Sequence, residues 1–134
     1  MKLNSSVNAR HFLSVLEFGA AHFDAAESLL LMPMPPKPNV HVEHLDSRPR
    51  HRIFESFCYA LALLETNGDE ILPLAESIIN RGIDQQDSRD PEAKTFGLWP
   101  YYMELPVADW PWPDFNWADF NGIVLLFIWY RHGS

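Results

Sequence analysis

Aromatic rings and carboxylates are concentrated in one proline-rich stretch, residues 95–120, with the sequence TFGLWPYYMELPVADWPWPDFNWADF. It holds four of the five tryptophans, four of the eleven prolines and four carboxylates. Flat rings beside carboxylates suit carbohydrate, because the C–H face of a pyranose stacks on Trp or Tyr while its hydroxyls hydrogen-bond to acids and amides. Cleavage of a glycosidic bond also needs two carboxyl groups, one protonated and one ionised.

The carbohydrate interpretation gives each residue type a role. Glu104 or Asp109 would be one catalytic carboxylate. Asp114, Asp119 or Asp87 would be the other, and Asp87 is also a candidate for binding the sugar. The remaining candidates for sugar binding are rings and one amide: Trp99, Tyr101, Tyr102, Trp110, Trp112, Asn116 and Trp117. Two alternatives stay open, because such rings also form protein interfaces or fill the gap beside helices, with the acids as helix caps.

The acidic composition argues against several partners. The chain has 134 residues and a formal charge of −8. The segment from Asp84 to Asp119 holds eight acids against two bases, which is −6 of that total. Nucleic acid and anionic membranes are bound by clustered Lys and Arg, so we expect neither as a partner. The sequence shows neither a signal peptide nor an apolar run of about 18 residues, which predicts a cytoplasmic protein.

Motifs for cofactor and nucleophile chemistry are absent from the sequence. It has no Gly-rich phosphate loop, no Ser-His-Asp order and no CxxC pair, so we predict no cofactor. The single cysteine, Cys58, is expected to pack as a small apolar residue. A possible metal cluster lies in HVEHLD, at His41, Glu43, His44 and Asp46. Because prolines bracket that stretch, we expect a solvated loop there and no metal site.

Hydrophobic spacing predicts one helical domain over residues 1–134. Four or five helices are expected: one or possibly two at 8–31, and one each at 50–65, 69–82 and 116–132. The Asn-Gly stop in TNGD joins the two central helices as an antiparallel hairpin. Residues 84–115 have neither a helical nor a strand period and are predicted to form a long loop, which is more often functional than incidental in a domain of this size.

The last predicted helix is apolar on every side. Asp114 or Asn116 would cap it. Its inner face is predicted at Trp117, Phe120, Val124, Leu125, Phe127 and Ile128. The residues that point away from that face are Ile123, Leu126, Trp129 and Tyr130. Leaving them in water would forfeit roughly 1.5–3 kcal/mol per large side chain, so we expect self-association through this helix or a place in a longer chain.

Two motifs in this region resemble a known protein family. FGLWPYYMELP and PDFNWADF are similar to segments of uncharacterised bacterial and fungal proteins of the six-hairpin-glycosidase type, and the resemblance covers about residues 50–132. It implies an all-α fold of antiparallel helical hairpins, part of an (α/α)6-type toroid. It also implies carbohydrate binding or a glycosidase-like hydrolase. A complete toroid needs many more helices than this chain, so a non-catalytic interaction module or an inactive toroid fragment stays open.

Overall fold

Helices dominate the structure, a computed structural model that describes residues 5–34, 46–110 and 112–133. The elements in chain order are α1 (Ser5–His22), β1 (Phe23–Asp24), β2 (Leu29–Met32), β3 (Arg50–Arg52), α2 (Ile53–Leu64), α3 (Leu72–Ile83) and α4 (Asn116–His132). Short 3₁₀ turns lie at Asp69–Ile71 and Val107–Asp109. The predicted helical character is confirmed, whereas the small sheet of β1, β2 and β3 corrects the all-α assignment.

The sheet begins within residues 8–31, which were predicted to form one helix or two. That prediction is wrong after the end of α1, because the chain turns back at residues 25–28. Ser28 adopts a left-handed φ of 53° in this turn. Asp24 Oδ1 accepts the backbone N–H of Ala26 at 2.9 Å. Side chains of Asp and Ser favour such turns by bonding to nearby backbone groups, and β1 and β2 then pair antiparallel.

The sheet also takes the first residues of the predicted helix 50–65. β3 pairs antiparallel with β2, and α2 begins only at Ile53. Residues 48–52 have the basic sequence RPRHR, and positive charge is unfavourable at a helix N-terminus. Residues 50–52 form the strand β3, so they lie before the first turn of α2. Leu30 in β2 donates its backbone N–H to Ser56 Oγ in α2 at 2.9 Å. The sheet is therefore fixed to the helical core by a buried hydrogen bond.

The α2–α3 hairpin supplies the centre of the core. The connection contains Asn67, whose φ is 55°. Pro73 lies in the first turn of α3, where its missing N–H has no helical partner to lose. The helices approach closely at Gly82, where an added Cβ would lie 2.4 Å from the ring of Phe57. The apolar side chains of this hairpin with no exposed area are Ile53, Phe57, Ala60, Ala75 and Ile78.

The N-terminal helix α1 packs against α2 and β2. The contact is close at Gly19, where an added Cβ would lie 2.0 Å from the ring of Tyr59. The glycine therefore permits this helix crossing and does not interrupt α1. Leu13 and Phe18 stay exposed on α1, so only part of its apolar surface is used in the contact.

The long loop and the last helix agree with their predicted bounds. In the described residues between α3 and α4, the only regular element is the 3₁₀ turn at Val107–Asp109. α4 spans the predicted residues 116–132 and packs against α2. The loop nevertheless has a buried centre of its own, which brings its rings out of solvent.

The inner face of α4 is narrower than predicted. Its buried positions are Asn121, Val124 and Ile128, at the helical spacing i, i+3 and i+7. Phe120 and Phe127 were predicted to face inward, but both are about half exposed. The reason is geometric, since Phe127 lies about 100° around the helix from Ile128. The side of α4 on which Phe127 lies is largely exposed, although at its N-terminal end Phe120 meets Phe54 of α2 edge-on, with 6.3 Å between the ring centroids.

Candidate functional site

Four of the predicted sugar-binding rings lie in the core, and Trp99 is the clearest case. It is 7% exposed. Its ring meets Phe57 edge-on, with 6.4 Å between the ring centroids. Its indole N–H donates to the carbonyl oxygen of Gly82 at 3.0 Å. Trp99 therefore attaches the loop to the α2–α3 hairpin.

Tyr101 organises a second group of buried rings. It stacks on Trp110 with 4.6 Å between centroids and meets Trp117 edge-on at 4.4 Å. Its hydroxyl donates to Asp114 Oδ2 at 2.6 Å. The buried side chains around it are Leu98, Tyr102, Leu105 and Val107. A pyranose needs an open ring face, so this conformation provides no stacking platform at Trp99, Tyr101, Tyr102 or Trp110.

Trp112 differs from those four rings because about half of its surface is exposed. It lines a shallow depression of about 380 Å³ with Pro113, Asp114, Phe115 and Asn116. Asp114 Oδ1 accepts a side-chain N–H of Asn116 at 3.0 Å, which holds the amide beside the carboxylate. A ring, a carboxylate and an amide thus share one open surface.

Glu104 is bound to His51, which lies in the strand β3. His51 Nδ1 lies 2.7 Å from Glu104 Oε1, and His51 Nε2 lies 3.1 Å from Asp24 Oδ2. The backbone N–H of His51 also points at both Glu104 carboxylate oxygens, each at 3.2 Å. His51 is buried. A neutral imidazole can donate to one of the two carboxylates, and a protonated one can donate to both.

This carboxylate–histidine–carboxylate cluster joins β1, β3 and the loop. A hydrogen bond from the backbone of Ala26 and a second from His51 lower the pKa of Asp24. Sequence reasoning missed Asp24 and His51 as partners of Glu104. They lie 27 residues apart from each other, and Glu104 lies 53 residues from His51, so no local spacing could have signalled the cluster.

Asp87 is buried and organises the loop backbone. Its carboxylate accepts the hydroxyl of Thr95 at 2.6 Å and Nε–H of Arg89 at 3.3 Å. Its own backbone N–H donates to the carbonyl of Leu98 at 2.8 Å, and its carbonyl accepts the N–H of Gly97 at 2.7 Å. The bond from Thr95, and then those from Arg89, lower the pKa of Asp87 despite its burial.

The other predicted carboxylates have separate surroundings. Asp109 is exposed in the second 3₁₀ turn. Asp119 is exposed in the first turn of α4, where a carboxylate is favourable to the helix dipole. Asp114 Oδ1 accepts the backbone N–H of Asn116 at 3.2 Å, so Asp114 stabilises the chain just before the helix. Asp114 or Asn116 was predicted to cap α4, but the N-cap position is Phe115, which makes no side-chain cap bond, so neither prediction of the cap residue is right.

The open side of α4 forms an apolar surface. We call Phe120, Ile123, Phe127 and Tyr130 the outward stripe. These four residues fall within an arc of about 80° around the helix. They are between 48% and 81% exposed, and Leu126 and Trp129 beside them are exposed as well. The predicted outward direction of Ile123, Leu126, Trp129 and Tyr130 is thus confirmed.

The predicted HVEHLD cluster falls largely outside the described residues. His41, Glu43 and His44 are not among them. Asp46 is described and pairs with Arg48 at 2.6 Å, which contributes to a lowered pKa of that carboxyl. In the part of the chain that the structure describes, no group of three His, Cys, Asp or Glu side chains is arranged to hold a metal ion.

Cys58 shows the environment expected of a packing residue. Burial, followed by the nearby charge of Glu55, raises the pKa of its thiol to about 11. The thiol is therefore protonated at neutral pH and is a poor nucleophile.

Among the described helices, none combines the length and the apolar character that a bilayer span requires.

Comparison with known proteins adds no family assignment. The chain matches no protein-family model, and no similar curated protein or solved structure was found. The resemblance to six-hairpin-glycosidase-type proteins therefore stays a prediction.

Proposed function

We propose that the protein is a helical interaction module whose docking surface is the outward stripe of α4. The observation that carries the proposal is the exposure of four large apolar side chains on a helix whose buried positions are already packed against α2. Helices that are apolar all round are normally covered on every side. Contiguous exposed apolar surface of this kind typically marks a site of protein interaction.

The spacing of the stripe defines the kind of partner. Phe120, Ile123, Phe127 and Tyr130 follow i, i+3, i+7 and i+10, which forms a ridge along the helix. Such a ridge fits the apolar face of another helix, because ridges and grooves of two helices interdigitate. We also propose that α2, α3 and α4 are part of an (α/α)6-type toroid, in which a neighbouring helix would cover the stripe.

Binding of a helix can be measured with a defined probe. The probe is a fluorescein-labelled amphipathic peptide with Leu at i, i+3, i+7 and i+10 and polar residues elsewhere, and its anisotropy reports binding to the full chain. Saturable binding is expected. Phe127→Glu should weaken it about tenfold or more, because a buried charge replaces an apolar contact.

The matched control is Leu13→Glu, which places the same charge on an exposed apolar position of α1. This variant should bind the peptide as the unaltered chain does. Equal binding of the peptide by the unaltered chain and both variants would show that the docking surface is not on α4. The absence of saturable binding by the unaltered chain would overturn the proposal.

Carbohydrate binding is the second candidate function, and the depression at Trp112 favours it. The exposed ring can stack on a pyranose, while Asp114 and Asn116 supply an acceptor and an amide for its hydroxyls. Glycosidase-like turnover would also need a second carboxyl group across the bond that is cleaved. We therefore propose that this site binds carbohydrate, and hydrolysis would require the second carboxyl group in addition.

Titration of tryptophan fluorescence with a panel of oligosaccharides tests this candidate. Quenching by a sugar should be lost in Trp112→Ala and retained in Trp129→Ala, which removes another exposed tryptophan. Release of reducing ends would assign hydrolase activity, and Asp114→Asn should then abolish it. Lack of any response across the panel would reject the carbohydrate function in both forms.

A further inference from the structure

We infer that the partner of the outward stripe is a second copy of this chain, with the two α4 helices packed antiparallel across a two-fold axis. This inference rests on the proposed docking role of the stripe and specifies its occupant. It makes the protein a homodimer whose interface is the same surface on both copies.

The spacing of the stripe is the first argument. Phe120 and Ile123 are three residues apart, Ile123 and Phe127 four, and Phe127 and Tyr130 three. The order 3-4-3 reads the same in both directions. Turning a second α4 end for end therefore puts Phe120 opposite Tyr130 and Ile123 opposite Phe127. A two-fold interface requires this self-complementarity, because each surface patch meets its own copy.

The size of the surface is the second argument. Five exposed apolar side chains within an arc of about 120° contribute to it: Phe120, Ile123, Leu126, Phe127 and Tyr130. At a half to four-fifths of roughly 200 Å² each, they present on the order of 600 Å². A stable interface buries about 800 Å² on each partner, so these side chains supply most of the area that a dimer needs.

Electrostatics selects the antiparallel direction. Asp119 is exposed beside the stripe near the N-terminus of α4. A parallel pair would bring the two Asp119 carboxylates and the two helix N-termini together. An antiparallel pair centred on residue 125 separates the carboxylates by about 18 Å along the axis, beyond a Debye length of about 8 Å. It also aligns the helix dipoles favourably.

The charge of the chain predicts how the dimer responds to salt. Each copy carries a formal charge of −8, so association brings like charges together. Added salt screens that repulsion and should tighten the dimer. A basic partner protein on the same stripe would show the opposite salt dependence.

Sedimentation of the full chain over a range of micromolar concentrations tests the association. A monomer–dimer equilibrium that shifts toward dimer as salt is added is expected. Phe127→Glu and Ile123→Glu should each raise the dissociation constant about tenfold or more. Leu13→Glu should leave it unchanged, and circular dichroism checks that all three variants keep their helical content. A chain that is monomeric throughout, or a dimer that survives both stripe variants, would overturn the inference.

Disulfide trapping tests the direction. In a Cys58→Ala background, Ile123→Cys and Phe127→Cys chains are oxidised separately and as a mixture. The antiparallel pair predicts a mixed cross-link that exceeds either homodimeric one. Dominant homodimeric cross-links would mean parallel packing and would overturn the antiparallel geometry.

The outcomes separate this inference from the proposed function. If the chain is monomeric but the helical peptide binds at the stripe, the docking surface stands and the second copy is rejected. If neither is observed, both proposals fail.

Discussion

The aromatic loop and α4 contain the same kinds of side chain in opposite environments. In the loop, Trp99, Tyr101 and Trp110 are buried although the segment has no long helix or strand. On α4, Phe127, Trp129 and Tyr130 are exposed although the helix is regular from end to end. The rings at the centre of the loop are thus buried and those on the free side of α4 are exposed, while Trp112 near the end of the loop is open as well.

The difference follows from how each backbone can direct its rings. A loop with frequent prolines can change direction every few residues and aim successive rings at one centre, as Tyr101 and Trp110 do. A straight helix distributes its side chains around a cylinder, so a helix packed on one side must expose the other. Ring content alone therefore does not distinguish core from docking surface.

Substitution of one tryptophan in each region tests this comparison most strongly. Trp99→Ala removes the ring that packs on Phe57 and donates to Gly82, so unfolding free energy should fall by about 3–5 kcal/mol. Trp129→Ala, at a side chain 68% exposed, should change the stability of the monomer by less than about 0.5 kcal/mol. Urea denaturation at low protein concentration measures both. Comparable losses would mean that Trp129 is buried in solution.

The tie between the loop and the sheet should show the next largest effect. Glu104→Ala removes the carboxylate that contacts His51 Nδ1 and accepts the backbone N–H of His51, which should cost about 1–3 kcal/mol. Asp109→Ala is the control, because Asp109 is exposed in the same loop. A similar loss in both variants would show that general charge, and not the bond to His51, sets the effect.

The N-terminus of α4 lies between the two regions, and a substitution there should cause a smaller loss of stability. Asp114→Ala removes the acceptor of the Tyr101 hydroxyl and of the Asn116 backbone N–H, with an expected cost of about 0.5–2 kcal/mol. Asn116→Ala should cost less, since Asn116 provides no cap for α4. Thermal unfolding of both variants measures the two losses of stability. A larger loss in Asn116→Ala than in Asp114→Ala would contradict the stabilising role of Asp114.

Acid should destabilise the aromatic loop, because Asp87 stabilises it in the ionised form. The pKa of Asp87 is lowered in the folded chain by Thr95 and then Arg89, so its ionised form favours the fold. That contribution is present above the unfolded pKa of about 3.9 and is lost as pH falls through the lower folded value. Unfolding measured from pH 5 downward should therefore be less pH-dependent in Asp87→Asn. An unchanged slope would exclude Asp87 as a source of acid sensitivity.

Much of the helical framework could be predicted because its signal is local. Ile53, Phe57 and Leu64 repeat with helical spacing inside α2, and residues 116–132 do so in α4. β1 is only two residues long, and β2 pairs with β3 across the unpredicted turn and a proline-rich segment. Such pairing depends on long-range contacts, which sequence periodicity does not report.

The candidate sites were predictable only in part. The outward direction of Ile123 and Tyr130 followed from the helical repeat, whereas Phe120 and Phe127 were placed inward because the width of the α2 contact was unknown. The burial of Trp99 could not be predicted, since its partners Phe57 and Gly82 lie on a different hairpin. The composition of residues 95–120 correctly indicated a special segment but not which rings face solvent.

The bond between His51 and Glu104 has a consequence for the order of folding. The two residues enclose a 53-residue loop of chain, and the α2–α3 hairpin lies inside that loop. Once the hairpin has formed, its ends are close together, so Glu104 has only the segment after Ile83 left to close. Each halving of the loop lowers the entropic cost of closure by about 0.6 kcal/mol. We therefore expect the hairpin to form first from its local contacts, which then brings the aromatic loop within reach of the sheet.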